Sequence, residues 1–331
     1  MKAKVCFIIL LLTALIYGGA RTEELPRVGV LVYNAADAFI SDVYRRIEHA
    51  AEGRADLIYR DSRSSQIIQN EQVELLLKDG VDALIVNAVD RTSAVYLIRM
   101  TEPFGIPIVF INREPLYEDL CEYDKAYYVG NNPKESGRMC GELIADYVKE
   151  HPEADRNGDG IIQYVMLKGE PGHQDAELRT VYSVKALKDA GIRIQKLQET
   201  TAMWERSIAQ EKMSGLIASF GERIECVISN NDEMALGAIE ALKAAGRFSN
   251  GRFLPVVGVD ATGAAIDALN EGTLLGTVLN DADGQGDAAL SLALLLASGT
   301  VIEPSTFSYP VDQGVYVWIP GRTVTRKNGA G

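Results

Sequence analysis

Short apolar runs rich in β-branched residues alternate with helix-length segments along most of this chain of 331 residues. Continuous apolar strands separated by helices are typical of parallel sheets that are covered on both faces, so the pattern predicts an α/β fold with doubly wound sheets. The length allows two lobes, each with its own core. The predicted strands are residues 28–33, 56–61, 83–87, 107–112, 126–131, 161–169, 192–198, 226–230, 255–260 and 276–281.

A polar segment at residues 112–125 contains a proline and has no clear periodicity. We therefore expect the strand at 107–112 to close the first lobe. The formal charge is −13, and it becomes −15 without residues 1–20, whose only charged side chains are Lys2 and Lys4. Because binding to nucleic acid depends mainly on Lys and Arg, the acidic balance argues against a nucleic-acid partner.

The first 20 residues combine two lysines, an apolar run from Val5 to Tyr17 and small residues ending at Ala20. This pattern predicts a cleaved secretory signal peptide, because the apolar run is shorter than the ~20 residues of a membrane span. Cys6 would leave with the signal peptide. The remaining cysteines, Cys121, Cys140 and Cys226, are odd in number and specify no disulfide framework.

The segment from Asp155 to Gln163 places oxygen-bearing side chains at alternate positions, as a calcium-binding loop does. The side-chain ligands would be Asp155, Asn157, Asp159 and Gln163, with the backbone carbonyl of Ile161. The twelfth position, where such a loop has a bidentate Glu, is Met166, so a remote carboxylate would have to complete the shell. A solvated turn without an ion is the alternative.

Directly after the next strand, a glycine-bounded loop opens a helix from about Gln174 to Ala190. His173, Asp175 and Arg179 lie around its N-terminus. One interpretation is a helix cap and a surface ion pair between residues four apart. The other is a set of multidentate polar groups that converge on a neutral polyhydroxyl ligand.

Short hydrogen-bonding side chains follow several other strands. In open α/β sheets ligands bind beyond the carboxyl ends of the strands, although Asn and Asp there are also common helix caps. Amides and carboxylates can pair with vicinal hydroxyls, and Phe39 and Trp204 could lie on a sugar ring or pack in a core. The polar residues at these ends are Asp37, Asn87, Asn231, Asp232, Asp260 and Asn280.

The motifs Asp37-x-Phe39, DRNGDG, LKGEPGHQDAELR, TAMW, SNNDEMALGA, GVDA and GTVLND together closely resemble the periplasmic galactose/glucose-binding proteins of ABC sugar importers, from about Arg27 to Pro320. The resemblance implies a type I periplasmic binding protein fold, in which two lobes joined by three crossovers close on one hexose. The implied division is residues 27–112 with 280–311 for the N-terminal lobe and 113–279 with 312–331 for the C-terminal lobe.

The resemblance also assigns roles to single residues. Phe39 and Trp204 would stack on opposite faces of the sugar ring, and Glu225 would supply the missing carboxylate of a Ca²⁺ site. Gln174 departs from the proline that is frequent in the family, which bears on loop stiffness. The implied hydrogen-bonding contacts to the sugar are Asp37, Asn87, His173, Asp175, Arg179, Asn231, Asp260 and Asn280.

The leading hypothesis is therefore a periplasmic, monomeric protein, not an enzyme, that binds D-glucose or D-galactose and delivers it to an ABC permease. A chemoreceptor is a second candidate partner. The residues do not distinguish the two sugars. A sugar-responsive repressor would need a DNA-binding helix-turn-helix and a basic face, which the signal peptide and acidic charge oppose. A sugar hydrolase using Asp37 and Asp175 lacks an evident set of nucleophile, base and orienting residue.

Overall fold

The computed structural model describes residues 24–249 and 253–327. The predicted signal peptide and Cys6 lie outside these residues. The strands are β1 Arg27–Val32, β2 Asp56–Asp61, β3 Ala83–Val86, β4 Ile108–Ile111, β5 Ala126–Asn131, β6 Ile162–Lys168, β7 Ile194–Thr201, β8 Cys226–Ser229, β9 Val256–Asp260, β10 Gly276–Leu279, β11 Tyr316–Ile319 and β12 Arg322–Thr325. The α-helices are α1 Ala38–Ala51, α2 Gln66–Lys78, α3 Ala94–Thr101, α4 Tyr117–Leu120, α5 Pro133–Glu150, α6 Gln174–Asp189, α7 Arg206–Phe220, α8 Asp232–Ala244, α9 Gly263–Glu271 and α10 Ala282–Ala297.

The strands form two six-stranded sheets, one in each lobe. The first sheet has the order β11-β5-β4-β3-β1-β2 and is parallel throughout. The second has the order β12-β10-β9-β8-β6-β7, with β12 antiparallel to β10 and the other pairs parallel. The predicted fold class, two doubly wound α/β lobes, is confirmed.

The core lies on both faces of each sheet because successive strand residues point to opposite sides. In β1, Val30 and Leu31 are both fully buried, and they belong to different apolar clusters. Val165 and Met166 of β6 divide between two clusters in the same way. This double burial explains why the strands form continuous apolar runs in the sequence.

The boundary expected after residue 112 is wrong, because strand β5 pairs with β4 and belongs to the first sheet. The first lobe therefore extends through Asn131, and α5 is the first element to pack in the second lobe, against α6, β9 and β10. The sequence placed β5 in the second lobe because a polar segment precedes it. That segment is a βα connection at the end of β4, with the short helix α4 inside it.

The C-terminal boundary differs as well. Strand β11 pairs with β5 in the first sheet, and only β12 returns to the second sheet, beside β10. The third crossover therefore lies between Ile319 and Arg322 rather than near residue 312. The second crossover lies where expected, since α10 starts at Ala282 and packs on α1, β3 and β4. The three crossovers lie close together, since a Cβ atom at Gly321 would be 2.9 Å from the Leu279 carbonyl oxygen and 3.0 Å from Asn131 Nδ2.

The three cysteines within the described residues are free: Cys121 is exposed, while Cys140 and Cys226 are buried. No helix among residues 24–249 and 253–327 is long and apolar enough to cross a membrane.

Candidate functional site

A cavity of about 500 Å³ lies between the two lobes, at the carboxyl ends of the strands. This volume is within the usual range for small-molecule sites. Each predicted sugar contact except Asn87 lines the cavity: Asp37, Phe39, His173, Asp175, Arg179, Trp204, Asn231, Asp260 and Asn280. The structure therefore brings together residues that are up to 243 positions apart in the sequence, from Asp37 to Asn280.

The N-terminus of α6 presents three polar side chains to the cavity. The Arg179 Nη2 donates to Asp175 Oδ2 at 2.6 Å, and both side chains are about 4% exposed. The pair is thus a buried ion pair and not the surface pair that the spacing also allowed. Asp175 Oδ1 and Arg179 Nε are buried and have no hydrogen-bond partner among the described residues.

His173 has both roles that the sequence suggested, because it is the N-cap of α6 and also lines the cavity. Its Nδ1 accepts the backbone N–H of Asp175 at 3.2 Å, which leaves Nε2 as the protonated donor of a neutral ring. Burial, and then the charges of Arg113 and Arg179, hold the pKa of His173 well below its usual value. The cavity therefore has a neutral donor at this position at physiological pH.

Asp260 ends β9 and is also buried at the cavity. Its Oδ1 accepts a hydrogen bond from Asn280 Nδ2 at 3.0 Å, and Asn280 Oδ1 accepts one from Gln285 Nε2 at 2.7 Å. Burial raises the pKa of Asp260 to about 7, partly opposed by the charge of Arg179. This chain of bonds links the second lobe to α10 of the first lobe through the second crossover.

Trp204 lies in a tight pocket of the second lobe wall. Its ring is edge-on to His173, with ring centroids 5.0 Å apart, and its carbonyl accepts from Asn231 Nδ2 at 3.2 Å. A Cβ atom at Gly169 would lie 2.2 Å from the indole ring, so this glycine is needed for the ring to pack there. Phe39, on the first lobe, lines the cavity and also belongs to the core at 9% exposure. Phe39 therefore packs in the core and borders the cavity, and its stacking on a sugar ring stays a prediction.

Asn87 is fully buried and lies behind the cavity wall. Its Oδ1 accepts the backbone N–H of Tyr33, and its Nδ2 donates to the carbonyl of Ile111 and to Asn112 Oδ1, each at 3.2 Å. The prediction that Asn87 lines the ligand site is wrong. Strand β3 lies between β1 and β4, so its terminal amide joins the connections that follow its two neighbours.

Several lining residues of the first lobe were not among the predicted sugar contacts, and the polar ones are Tyr33, Asn34, Asn112 and Arg113. Asn112 and Arg113 directly follow β4, so the rule applied to other strand ends could have found them. They were overlooked because the segment was interpreted as the boundary between lobes. The Tyr33 hydroxyl donates to Asp37 Oδ2 at 2.7 Å, and Asp37 also caps α1 through the N–H of Ile40.

Left-handed backbone conformations also mark the cavity. Asn112, Trp204 and Asp260 have φ angles of 61°, 68° and 122°. Such angles are uncommon for residues other than glycine, and that of Asp260 lies well outside the usual left-handed region. Strained backbone of this kind concentrates at functional sites, and the surrounding packing must hold it in place.

The loop Asp155–Gln163 (the oxygen loop) has a compact shape in which side-chain oxygens accept nearby backbone N–H groups. Asp155 binds the N–H groups of Gly158 and Gly160 at 2.8 and 2.6 Å. Asn157 and Asp159 each bind the N–H two residues further on, at 2.8 Å. The loop therefore holds its turn through short-range hydrogen bonds.

Glu225 reaches the oxygen loop from the segment before β8. Its two carboxylate oxygens accept the N–H groups of Arg156 and Gln163 at 2.6 and 2.8 Å, and it is 1% exposed. The expected convergence of Glu225 on the loop is thus present, and Met166 is buried inside β6. No group of three or more His, Cys, Asp or Glu side chains arranged to hold a metal ion occurs in the described part of the chain.

Comparison with known proteins places this architecture in a family. The family model for the periplasmic binding protein domain matches residues 28–300. A D-galactose/methyl-galactoside binding periplasmic protein, MglB, of Haemophilus influenzae is 45% identical over 276 residues, which cover 82% of each chain. A putative rhizopine-binding protein of Rhizobium meliloti is 33% identical, over 82% of this chain and 81% of its own.

A solved ABC transporter solute-binding protein from Bacillus halodurans C-125, with bound myo-inositol, superposes with a TM-score of 0.78 at 30% identity. The match covers 92% of this chain and 96% of that one. These relatives are solute-binding proteins and not enzymes, so the hydrolase alternative is not favoured, nor is the repressor. With two α/β lobes, three crossovers and a polar cavity between them, the chain belongs to the periplasmic binding protein family and is a solute-binding component of an ABC importer.

Proposed function

We propose that this protein captures D-glucose or D-galactose in the cavity between its lobes. The observation that carries the proposal is the pair of buried, unpartnered atoms Asp175 Oδ1 and Arg179 Nε. A buried polar atom without a hydrogen bond costs roughly 1–3 kcal/mol, so both atoms favour a ligand that offers a donor and an acceptor close together. Vicinal hydroxyl groups of a sugar meet this requirement.

The rest of the lining supports the same ligand class. The neutral His173 supplies a donor, Asp37 and Asp260 supply acceptors, and Asn112 supplies an amide that can do both. Trp204 offers an aromatic surface for the C–H face of a pyranose ring. The name of the Haemophilus influenzae relative agrees with a hexose ligand.

The sugar-loaded, closed protein would then deliver its ligand to an ABC permease at the membrane. We further propose that the protein acts as a monomer after export, with a signal peptide cleaved near Ala20. A chemoreceptor is a second possible partner for the closed form. The relatives include a periplasmic sugar-binding protein and an ABC transporter solute-binding protein, which supports delivery to a permease.

Calorimetric titration of the purified protein with a panel of hexoses and pentoses tests this proposal. We expect D-glucose or D-galactose to bind with micromolar or tighter affinity, and pentoses to bind more weakly because they lack the C6 hydroxymethyl group. Absence of binding by both hexoses at millimolar concentration would overturn it. Methyl-β-galactoside in the same panel would report whether the cavity tolerates a substituent at the anomeric oxygen.

We also propose that the oxygen loop and Glu225 hold one structural Ca²⁺. The donor set fits a hard cation, because it consists of oxygen atoms from Asp155, Asn157, Asp159 and Gln163, the Ile161 carbonyl and the Glu225 carboxylate. The Asn157 Nδ2 lies 3.1 Å from Asp159 Oδ2 and from Gln163 Oε1, so these side chains already converge. The carboxylates of Asp155, Asp159 and Glu225 now accept backbone N–H groups, and they would have to turn part of their oxygen atoms toward the ion.

A further inference from the structure

Two pairs of side chains connect the lobes at the rim of the cavity, away from the crossovers. Arg113 Nη2 of the first lobe donates to Glu170 Oε2 of the second lobe at 2.6 Å. Beside it, Gln174 Nε2 of the second lobe donates to Glu114 Oε2 of the first. Arg113 and Glu114 follow β4, whereas Glu170 follows β6 and Gln174 begins α6.

Arg113 is held firmly by its own lobe. Its Nη1 donates to the carbonyl of Val89 at 2.6 Å, and its guanidinium lies over the Tyr33 ring at 4.0 Å. The side chain is 6% exposed, and it lines the cavity. Its position within the first lobe therefore needs no contact with the second.

Glu114 is fixed in a similar way. Its backbone carbonyl accepts Arg91 Nε at 2.5 Å, its carboxylate interacts with the Tyr316 hydroxyl of the same lobe, and the residue is 9% exposed. Glu170 and Gln174, by contrast, are only half-buried and do not line the cavity. The first lobe thus presents a fixed cation and a fixed carboxylate, and the second lobe supplies one partner for each.

We propose that Glu170 and Gln174 are positioning residues that form an interlobe latch with Arg113 and Glu114. When the lobes separate, both pairs must break, because their members belong to different sheets. The pairs therefore stabilise only the closed form, in which Arg113 lines the cavity. A contact made only in one of two conformations shifts the population toward that conformation. The latch rests on the proposed sugar binding only for its effect on affinity.

The latch predicts a kinetic signature that a purely structural role would not produce. Sugar enters the open form, in which the latch is broken, so the association rate should change little. Dissociation requires opening, so Glu170→Gln should accelerate it about tenfold, as expected for the loss of one charge-assisted hydrogen bond. Gln174→Ala, which removes a hydrogen bond from a neutral donor, should accelerate it about threefold.

Stopped-flow measurement of sugar dissociation from wild-type protein and these variants is the test. Glu177→Gln is the matched control. Glu177 lies on α6 and pairs with Lys168 at 2.6 Å within the second lobe, so this variant removes the same charge as Glu170→Gln without breaking an interlobe contact. The control should dissociate within about twofold of wild type, since an exposed pair contributes little. Equal dissociation rates for Glu170→Gln and Glu177→Gln would overturn the latch.

A second readout needs no sugar and separates failure of the latch from failure of the proposed function. Glu114→Cys with Gln174→Cys, in a Cys121→Ser background, allows a short thiol cross-linker to trap the closed form. Adding Glu170→Gln should slow this trapping severalfold, and adding Glu177→Gln should not. If the wild type binds no hexose, the sugar proposal fails. A trapping rate that Glu170→Gln leaves unchanged overturns the latch, whether or not a hexose binds.

Discussion

The cavity and the oxygen loop contain the same kinds of polar side chain. The two regions differ in how the hydrogen-bonding atoms of those side chains find partners. In the loop, Asp155, Asn157 and Asp159 accept N–H groups that lie two to five residues further along the chain. In the cavity, Asp175 and Arg179 come from one helix turn, but each keeps a buried atom without a partner in the described residues.

This difference shows what each region requires. A loop whose polar groups are paired locally keeps its shape without help, so a bound ion would add stability to an existing structure. A cavity with unpaired buried atoms is incomplete, because no group among the described residues forms a hydrogen bond with those atoms. The cavity should therefore respond to mutation through ligand affinity, and the loop through thermal stability.

The largest effect is expected at the loop. An ion bound only by the folded state stabilises it by RT ln(1 + [L]/Kd), about 2.7 kcal/mol at a hundredfold excess over Kd. Addition of Ca²⁺ to chelator-treated protein should therefore raise the melting temperature by several degrees. Glu225→Gln should lose most of this calcium-dependent rise. Differential scanning calorimetry with and without Ca²⁺ provides the measurement.

Glu222→Gln is the control for the loop. Glu222 is 65% exposed and pairs with Arg156 at 3.1 Å, so it is a nearby Glu that is not a proposed ligand. This variant should respond to Ca²⁺ like wild type. Identical melting curves with chelator and with calcium in the wild type would refute the calcium site.

The next effect is expected in the cavity. Asp175→Ala removes a group that the ligand should satisfy, at roughly 2 kcal/mol, so sugar affinity should fall by one to two orders of magnitude. The variant also leaves Arg179 buried without its carboxylate, so the melting temperature of the sugar-free protein should fall too, and affinity is measured at a temperature where the variant is folded. Asp189→Ala, which removes an exposed ion pair with Lys185 at the other end of α6, should leave affinity unchanged. Wild-type affinity in Asp175→Ala would show that the cavity is not the sugar site.

A smaller effect is expected from pH. Burial raises the pKa of Asp260 to about 7, and sugar hydroxyls that donate to the carboxylate favour its ionised form. Affinity should therefore weaken as pH falls from 8 to 6, by up to about tenfold, or 1.4 kcal/mol, and binding near pH 7 should release protons. Calorimetry in buffers of different ionisation enthalpy measures this release, and Asp260→Asn should abolish it.

The same group affects the sugar-free protein in the opposite direction. Its folded-state pKa lies above the unfolded value of 3.8, so the folded state binds more protons between these values. The contribution of Asp260 to stability should thus decrease as pH rises from about 4 to 7. A sugar-free stability that increased through this window in wild type relative to Asp260→Asn would contradict the assignment.

The smallest effect is expected for Trp204→Phe. A smaller ring keeps part of the stacking surface, so affinity should fall only by about 1 kcal/mol, or severalfold. The sugar-induced change in tryptophan fluorescence should disappear almost completely. The chain has two tryptophans, and Trp318 lies on β11 beside Tyr316 and outside the cavity lining. A full fluorescence change in Trp204→Phe would exclude Trp204 from the site.

Much of the fold followed from the sequence because its signals are local. The double burial of parallel strands leaves continuous apolar runs, and α2 and β5 have the same bounds as the pattern predicts. Helix caps are local too: Asp37, His173 and Asn231 each bind an N–H of the helix that follows. A polar residue at a strand end therefore marks both a helix start and a candidate ligand group.

The sequence could not decide which strand ends face the other lobe, because that depends on strand order and on where the chain crosses over. Asn87 and Asn112 follow neighbouring strands with similar local sequence, but only Asn112 reaches the cavity, while Asn87 is enclosed between β1 and β4. Strands β5 and β11 were likewise assigned to a lobe only by their pairing.

Local sequence patterns were thus sufficient to predict the main elements, the family resemblance and nine of the residues that line the cavity, since each depends on residues close together in the chain. The tertiary structure decided the lobe boundaries, the exclusion of Asn87 and the contacts of Arg113 and Gln174 across the cleft. Those contacts join residues 57 and 60 positions from their partners, on different sheets. Such pairings form only when the two lobes close on each other, and a local sequence pattern does not specify which residues then meet across the cleft.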